Sequence, residues 1–427
     1  MAIELLRQVR VLNPFTESDR IADVLIVEGR IESMGDRLET VPDDAQIYDR
    51  PGLILAPGLV DLYSHSGEPG FESRETLDSL SQAALAGGFT RLTLLPDTNP
   101  PLDTPASLNL MRSRVKSMSS DTVQIGFWGS LTVGSAGTHM AELGDLAAAG
   151  VIGLADSLPL QQWGLIRRLL EYAQPLNLPI ALWAYHRELA GNGVLREGPA
   201  SIQLGLPGDP AMSETAALAA LLECIAAIQT PVHLMRISTK RGVELIRDAK
   251  ERGTPITAST TWMHLVCSSE DAQSYDPSLR LAPPLGNSDD RQALIEGLRE
   301  GVLDAIAIDH SPYTYEEKMV SFAETPPGAI GLELALPLLW QTLVAQEGWS
   351  ALSLWNCLSV RPCHCLGKQP PVLMPMSPAE LVLFDPDEPW QVTPNTLKSL
   401  SINTPWLGQS ITGKVVKTWA GKTGHGG

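Results

Sequence analysis

The sequence predicts an α/β fold, a (β/α)8 TIM-type barrel with a small β-sandwich formed by the N- and C-terminal segments. In the middle of the chain, short strand-like apolar runs alternate with stretches of helical periodicity, as in repeated βα units. Both ends instead contain β-rich segments separated by turn residues. We therefore expect residues 1–55 plus 371–427 to form the composite sandwich and residues 56–370 to form the barrel.

The individual elements follow from apolar spacing and turn signals. Apolar runs interrupted by Asn13-Pro14 and Gly29 predict N-terminal strands over 5–12, 23–27 and 29–35. Barrel strands are expected over 59–62, 90–95, 123–128, 151–156, 180–184, 232–237, 256–259 and 305–309. Helices are expected over 76–87, 107–117, 142–149, 165–174, 213–229, 240–252 and 290–300. Final strands over 380–386 and 413–419 are expected to join those of the N-terminus.

The composition restricts the class of protein. A net charge of −18 argues against nucleic acid or an anionic membrane as the main partner. The first residues lack a signal-peptide pattern, and no apolar run is long enough to span a bilayer. Five cysteines without framework spacing favour reduced thiols and a cytoplasmic protein. Cys363-His364-Cys365 is too tightly spaced for a tetrahedral zinc site, so we expect buried thiols at a helix end.

Polar side chains follow the first predicted barrel strand, in the stretch over residues 56–70. Asp61, Tyr63 and His65 are spaced two residues apart, which places them on one face of an extended strand. A D-x-H-x-H run would present two imidazoles to a metal at this strand end. Here the run is D-x-Y-x-H, so a phenol fills one position. The other strand ends supply Asp97, Asn99, Asp156, Ala184, Tyr185, His186, His233, Arg236, His264, Asp309, His310 and Tyr313.

Several runs occur in a fixed order along nearly the whole chain. They are A-P-G-L-V-D-L-x-x-H-x-x-E-P-G, G-G-F-T-R-L-T-L-L-P-D-T-N-P-P-L-D-T, V-H-L-M-R-I-S-T-K, A-P-P-L, D-R-Q-A-L-I-E-G-L, I-D-H-S-P and P-G-A-I-G-L-E-L-A-L-P, with Asn403-Thr404-Pro405 near the end. Together they resemble dihydroorotase, a family of the amidohydrolase superfamily. The resemblance implies the same barrel and sandwich, and closure of N-carbamoyl-L-aspartate to L-dihydroorotate with one or two zinc ions.

The resemblance also implies a set of metal ligands, of which this chain lacks three. Tyr63 stands in place of one strand-one histidine, Ala184 in place of the strand-five histidine, and Arg236 in place of the strand-six histidine. The remaining candidates for metal ligands are His65, Asp156, His186 and Asp309. His186 is included because it lies two residues after Ala184, on the same face of an extended strand. No cofactor is expected unless this reduced set is competent, and zinc is expected if it is.

The positions that bind substrate in the family are also altered. Gly67 stands where the family has the arginine that grips the substrate carboxylate. Asp97 replaces an asparagine and would repel an anionic substrate, Ala282 replaces another asparagine, and Tyr313 replaces a histidine. The candidate substrate-binding residues are Asp97, Asn99 and Tyr313, which we expect not to bind dihydroorotate.

Arg236 suggests a specific electrostatic arrangement. Asp156 and Asp309 would be buried carboxylates without a metal, which costs several kcal/mol per ion unless they are paired. A guanidinium can supply the missing positive charge through two parallel hydrogen bonds. We therefore predict that Arg236 occupies the metal position and forms a salt bridge with at least one of these aspartates.

Simpler interpretations remain open for the histidines and for Asp309. His65 is favoured as a barrel-mouth histidine held by hydrogen bonds over a metal ligand, and Asp309 as a paired carboxylate over the family's proton shuttle. His233 lies three residues before Arg236 and should face away from it, so we expect a packed histidine. Core packing is also the default for His264, after Trp262-Met263.

Two functions follow from these expectations. The favoured one is a non-catalytic dihydroorotase homologue linked to pyrimidine biosynthesis, since some family members of this kind assemble with aspartate carbamoyltransferase. The alternative is an active zinc-dependent cyclic amide hydrolase that uses His65, His186 and Asp309. A homo-oligomer is also possible. An interface could lie at Trp340, Trp349 and Trp355 if these side chains are exposed, but we expect them to be buried.

Overall fold

The computed structural model describes residues 2–39, 42, 44–118 and 122–421, so the expectations for 422–427 lie outside the described residues. Eight parallel strands form one sheet whose order follows the sequence. They are Leu59–Val60, Phe89–Leu94, Gln124–Gly129, Gly153–Ala155, Ile180–Trp183, Val232–Met235, Ile256–Thr261 and Ala305–Ala307. With helices between the strands, this confirms the predicted (β/α)8 barrel.

The barrel closes between its last and first strands around a buried carboxylate. The Asp309 amide donates to the Tyr63 carbonyl at 3.0 Å. The Asp61 carboxylate accepts from the Ile308 amide at 2.9 Å and from the Ser64 hydroxyl at 2.5 Å. Burial raises the pKa of Asp61 to about 7. Asp61 therefore stabilises this seam. The regular strand spacing had suggested that Asp61 shares a site with the residues that follow it, and this expectation was wrong.

The connecting helices agree closely with the predicted ones. They are Leu77–Ala86, Pro105–Lys116, Leu143–Ala148, Trp163–Ala173, Met212–Ile228, Lys240–Glu251 and Ser288–Arg299. Four of them begin at a capping side chain; for example, the Thr76 and Thr104 side chains cap the first two helices by accepting from the backbone three residues on. After the last strand, helical turns of α and π type run over Ala335–Leu339, Trp340–Gln346, Ala351–Trp355, Asn356–Val360 and Arg361–Cys365.

The two ends of the chain fold together, as predicted, into one mostly antiparallel sheet of seven strands. From edge to edge these are Ser410–Ala420, Glu380–Gln391, Ile54–Pro57, Ile3–Asn13, Ser18–Val27 and Arg30–Gly35, with Gln46–Tyr48 also paired to Ile3–Asn13. Alternate residues divide between two cores: Leu381 and Leu383 pack within the terminal sheet, and Val382 and Phe384 pack against the barrel. The sheet therefore attaches directly to the outside of the barrel.

The elements that the sequence analysis missed lie mainly in the loops that follow the barrel strands. They are the short helices Arg187–Ala190, Pro199–Leu204, Met263–Val266 and Tyr315–Lys318, the 3-10 turns Val133–Ser135, Gln174–Leu176, Ser269–Ser274 and Pro277–Leu279, and the parallel pair Leu195–Arg196 with Gly208–Asp209. Helices of four to six residues are too short to produce a readable period.

Two further expectations concern burial and membranes. Cys363 and Cys365 are buried at the end of the helix Arg361–Cys365, as predicted, and Trp340, Trp349 and Trp355 are buried too. Within the described part of the chain, no helix combines the length and the apolar character needed to cross a membrane.

Candidate functional site

A cavity of about 170 Å³ lies at the C-terminal ends of the barrel strands. Its floor is formed by His65, Asp97, Arg236 and Asp309, and its walls are largely aromatic and apolar. The C-terminal ends of the strands are where a barrel of this type places its functional groups. The sequence therefore located the cavity correctly, and the chemistry depends on how these four side chains are bonded.

Arg236 and Asp309 form a two-pronged salt bridge at the centre of the floor. Arg236 Nε donates to Asp309 Oδ2 at 2.8 Å, and Nη2 donates to Asp309 Oδ1 at 2.7 Å. A third donor, Nη1, reaches the Ser157 carbonyl at 2.8 Å. Burial raises the pKa of Asp309, but the charge of Arg236 and the hydrogen bonds from His65 and Arg236 together outweigh burial and leave that pKa well below its usual range. The predicted salt bridge between Arg236 and one of the two aspartates is confirmed.

His65 lies between two carboxylates. Its Nδ1 is 2.6 Å from Asp97 Oδ2, and its Nε2 is 3.4 Å from Asp309 Oδ1 and 3.2 Å from Arg236 Nη2. Burial alone would lower the pKa of His65, but the charge of Asp97 and the hydrogen bonds to both carboxylates outweigh it and raise the pKa to about 9. Both carboxylates thus favour the protonated form of His65. The charges of His65, Arg236, Asp97 and Asp309 then cancel.

Tyr63 lies beneath this network, in the barrel interior. Its hydroxyl is 2.9 Å from Ser259 Oγ and accepts a hydrogen bond from the Arg236 amide at 3.1 Å. His233 also bonds Ser259, at 2.8 Å, and bonds Thr257 at 2.9 Å. Burial lowers the pKa of His233 to about 3, so it is a neutral packed histidine, as predicted. Tyr63 thus serves to hold the backbone of Arg236.

Strand five differs from the register implied by the family resemblance. Trp183, not Ala184, faces the barrel interior and lies over Arg236, with 5.0 Å between the guanidinium carbon and the ring centre. Ala184 packs instead with the outer hydrophobic layer. The alternation along Ile180–Trp183 contained this information, because Ala181 and Trp183 share one face. Trp183 is a site residue that the sequence analysis missed.

Two of the four candidate metal ligands point elsewhere. The Asp156 carboxylate is bonded by the Ser130 hydroxyl at 2.8 Å, by the Thr132 hydroxyl at 2.5 Å and by the Leu131 amide at 2.9 Å. His186 begins the helix Arg187–Ala190, where its side chain accepts from the Leu189 amide at 3.4 Å. Neither residue lines the cavity. His65 and Asp309 are brought together with Arg236, whereas Asp156 and His186 are not.

The substrate positions suggested by the resemblance lie at the cavity, with one exception. Asp97, Ala282 and Tyr313 line the cavity, whereas Asn99 is exposed at the surface. Tyr313 packs under the Arg74 guanidinium at 4.8 Å, and burial raises the pKa of its phenol. Arg74 was not singled out from the sequence.

Gly67 is enclosed by backbone atoms. A Cβ atom at this position would lie 2.3 Å from the Glu75 carbonyl oxygen and 2.5 Å from that of Phe71. Contacts this short exclude any larger side chain unless the loop moves. The backbone of this loop therefore occupies the space into which a side chain at position 67 would point.

His264 is both a packed residue and a wall of the cavity. Its Nδ1 is 2.7 Å from Thr261 Oγ1, and its Nε2 is 3.3 Å from the Pro284 carbonyl. Burial lowers its pKa to about 4, so it is neutral at pH 7.

The residues on the cavity floor do not fit a zinc ion. Zinc in a catalytic site takes about three nitrogen, oxygen or sulfur ligands and keeps one open position. Arg236 has no lone pair to offer and stays protonated, and it already bonds both oxygens of Asp309. His65 contacts carboxylates through both ring nitrogens. Across the described ranges, no group of three or more His, Cys, Asp and Glu side chains is arranged to hold a metal ion.

Comparisons with known proteins agree with this fold and place the chain among relatives. A model of the family described as dihydro-orotase-like matches residues 52–242. A probable dihydroorotase-like protein from Synechocystis sp. is 45% identical over 436 aligned residues, covering 96% of this chain and 98% of the relative. Dihydroorotases from Thermus aquaticus and Pelobacter propionicus are 38% and 36% identical, each alignment covering 97% of both chains.

Solved structures provide a second comparison. The L-hydantoinase (dihydropyrimidinase) from Arthrobacter aurescens matches with a TM-score of 0.83 and 21% identity, covering 98% of this chain and 94% of that one. The D-hydantoinase (dihydropyrimidinase) from Thermus sp. matches with a TM-score of 0.80 and 20% identity, with the same coverage. At these identities the likeness establishes the shared barrel fold.

The salt bridge on the cavity floor leads to a prediction about stability. Arg236→Gln leaves the Asp309 carboxylate without its cation, so we expect the free energy of unfolding to fall by about 3 kcal/mol. Adding Asp309→Asn should recover part of that loss, because the two residues are coupled. The measurement is denaturant unfolding of both variants. Arg167→Gln, which breaks an exposed pair with Glu171, is the control and should change the free energy of unfolding far less; equal effects at both arginines would contradict the prediction.

The charge on His65 leads to a second prediction. NMR titration of the imidazole should give a pKa near 9, and Asp97→Asn should lower it by removing the largest favourable charge. Since folding raises this pKa above its unfolded value of 6.5, the stabilisation is complete below about pH 6.5 and is lost as the pH rises through about 9. The pH dependence of unfolding should be weaker in Asp97→Asn and unchanged in Asp145→Asn, an exposed carboxylate. A wild-type pKa near 6.5 would show that His65 is neutral.

Proposed function

This chain belongs to the dihydroorotase-like family, and we propose that it is a non-catalytic member, linked to pyrimidine biosynthesis, that acts as a partner of aspartate carbamoyltransferase. The observation that carries the first part is the salt bridge between Arg236 and Asp309. In this salt bridge the Arg236 guanidinium, which stays protonated, neutralises the charge of the Asp309 carboxylate that follows strand eight. The second part rests on the family resemblance together with this loss of chemistry.

Catalysis of the family's reaction depends on a bound metal. Opening or closing a cyclic amide near neutral pH relies on a metal that polarises the carbonyl and generates hydroxide. Arg236 is only 4% exposed, and three of its nitrogens donate to protein oxygens, so it presents little free donor surface to a substrate. Asp309 is bonded at both oxygens by Arg236, and its lowered pKa makes the carboxylate a poor proton acceptor for a shuttle near neutral pH.

The substrate contacts support the same proposal independently. Carbamoyl aspartate and dihydroorotate are anions, yet the cavity floor offers them no net positive charge, because Asp97, which is 33% exposed, and Asp309 balance His65 and Arg236. The enclosed backbone around Gly67 leaves no room for an arginine that would grip the anion. Arg74, a cation on the rim, is already paired with Glu317. Metal binding and substrate binding are thus altered through different residues.

The alternative function, a reduced mononuclear zinc hydrolase, requires His65, His186 and Asp309 to meet at one ion. His186 instead caps the helix Arg187–Ala190, and His65 and Asp309 are engaged with Asp97 and Arg236. No contact among the described residues favours this alternative. The zinc hydrolase therefore stays a hypothesis, which measurements of zinc content and turnover can exclude or establish.

Metal content and turnover test the loss of catalysis together. Protein purified without chelator should contain far less than one zinc ion per chain by mass spectrometry, and should not interconvert dihydroorotate and carbamoyl aspartate at any zinc concentration. The Thermus aquaticus dihydroorotase, purified and assayed in the same way, is the positive control. Stoichiometric zinc accompanied by turnover would establish the alternative instead.

Binding to aspartate carbamoyltransferase tests the partnership. Purified chain mixed with that enzyme from the same organism, each at about 10 μM, should elute from a sizing column as one complex whose mass exceeds that of either component. Separate elution of the two proteins would refute the partnership while leaving the proposal on catalysis intact. The mass of the chain alone, measured in the same experiment, tests the predicted homo-oligomer.

A further inference from the structure

A second and larger cavity lies at the opposite end of the barrel from the salt bridge. Its volume is about 400 Å³, against about 170 Å³ for the cavity at the C-terminal strand ends. We call it the lower cavity; it lies near the N-terminal ends of strands one to four, between those strands and the segment 363–369. Sites that bind small molecules in proteins commonly measure roughly 300–1,000 Å³, so the lower cavity is large enough for one.

The wall of the lower cavity is apolar. Val60, Ile152 and Leu366 line it, and all three belong to or pack against the apolar core of the barrel interior. Val60 and Leu366 are buried, whereas Ile152 is partly exposed and lies over Gly126, where a Cβ atom would be 2.7 Å from Ile152 Cγ2. The barrel core therefore holds this wall in place.

The lower cavity also has two polar side chains with no bonding partner among the described residues. Lys368 is exposed, and the described part of the chain offers its ammonium group neither a salt bridge nor a hydrogen bond. The backbone at this position is fixed, because the Lys368 amide donates to the Cys363 carbonyl at 2.8 Å. Gln124 is partly exposed and lies on the same strand face as Trp128, which points into the barrel. One cation and one amide are thus free to bind a ligand.

The other charges around the lower cavity are compensated. Arg91 lines it, but its Nε and Nη2 donate to the two carboxylate oxygens of Glu380 at 2.6 and 2.8 Å. Lys250 and Asp304, which lie near the buried thiols of the segment 363–369, pair with each other at 2.7 Å. Among the residues that the structure describes, no acidic side chain lines the cavity. Lys368 therefore gives it a net positive charge.

We propose that the lower cavity binds a small monocarboxylic acid with an unbranched apolar chain. The carboxylate meets the Lys368 ammonium group and the Gln124 amide, and the chain packs against Val60, Ile152 and Leu366. A hydrogen bond between a cation and a carboxylate is about twice as strong as one between neutral groups, and each methylene group removed from water adds affinity. The positive charge disfavours an organic cation, and the apolar wall disfavours a ligand with a polar body.

This site is separate from the one on which the proposed function depends. The lower cavity shares no lining residue with the cavity around Arg236 and Asp309. Zinc binding or turnover at the C-terminal strand ends therefore has no bearing on it, and the two proposals can fail independently.

Calorimetric titration with octanoate tests the class of ligand. We expect octanoate to bind the full chain at one site, and both 1-octanol and butyrate to bind about tenfold more weakly, because the alcohol lacks the charge and butyrate lacks most of the apolar chain. Octylammonium should not bind. Absence of octanoate binding at millimolar concentration, or equal binding of octanoate and 1-octanol, would overturn the proposal.

Two variants test the location of the site. Lys368→Gln removes the cation and should weaken octanoate binding by about tenfold. Gln124→Trp fills the cavity with an indole ring and should abolish binding. Lys240→Gln changes an exposed lysine at the other end of the barrel, so as the matched control it should change the affinity by less than about twofold. Unchanged binding in the first two variants, with circular dichroism showing that they are folded, would refute the site.

Methyl NMR locates the ligand without any substitution at the cavity. Octanoate should shift the methyl resonances of Ile152, which lines the lower cavity, and not those of Ile308, which lines the cavity at the C-terminal strand ends. Shifts at Ile308 alone would show that the acid binds near the salt bridge, and the lower cavity would then be excluded as its site.

Discussion

The arrangement of the cavity floor depends on the guanidinium of Arg236 being held against Asp309. A carboxylate buried at the end of a barrel strand is costly unless a positive charge accompanies it. In this chain a side chain supplies that charge, and its two-pronged geometry fixes the direction as well as the distance of the pair. The rest of the floor is organised around this contact, since His65 bonds Asp309 and Trp183 covers the guanidinium.

The backbone also shows that this contact is strongly constrained. Arg236 has a φ of 57° and Asp309 a φ of 54°, both in the left-handed region that residues with a side chain rarely adopt. Such conformations cost on the order of 1 kcal/mol or more each and persist only where surrounding contacts determine them. The hydrogen bond from the Arg236 amide to Tyr63, and that from the Asp309 amide to the Tyr63 carbonyl, provide this support. Tyr63 therefore belongs to the same unit as the salt bridge.

The sequence was sufficient for the fold because the fold depends on repeated patterns. Eight apolar runs alternating with seven helical periods specify a barrel whatever stands at the strand ends. The pairing of Arg236 with an aspartate was also predictable, because a buried cation and a buried anion at neighbouring strand ends must compensate each other. Which aspartate pairs with Arg236 was not predictable. The Asp156 carboxylate is hydrogen-bonded by Ser130 and Thr132 instead, and no short sequence motif encodes that loop geometry.

The remaining errors have a common physical cause, which is that side-chain direction at a strand end depends on local bends. Asp61 points into the barrel seam because regular strand pairing stops just before it, and Trp183 rather than Ala184 faces inward because the strand register differs by one residue. At Gly67 the constraint comes from the backbone instead, because the carbonyl oxygens of Phe71 and Glu75 occupy the space that a side chain would need. The cavity is therefore a packed structure in its own right. Replacing Tyr63 with histidine would leave the salt bridge between Arg236 and Asp309 and the contact between His65 and Asp97 in place, so a single substitution would not convert this cavity into a metal site.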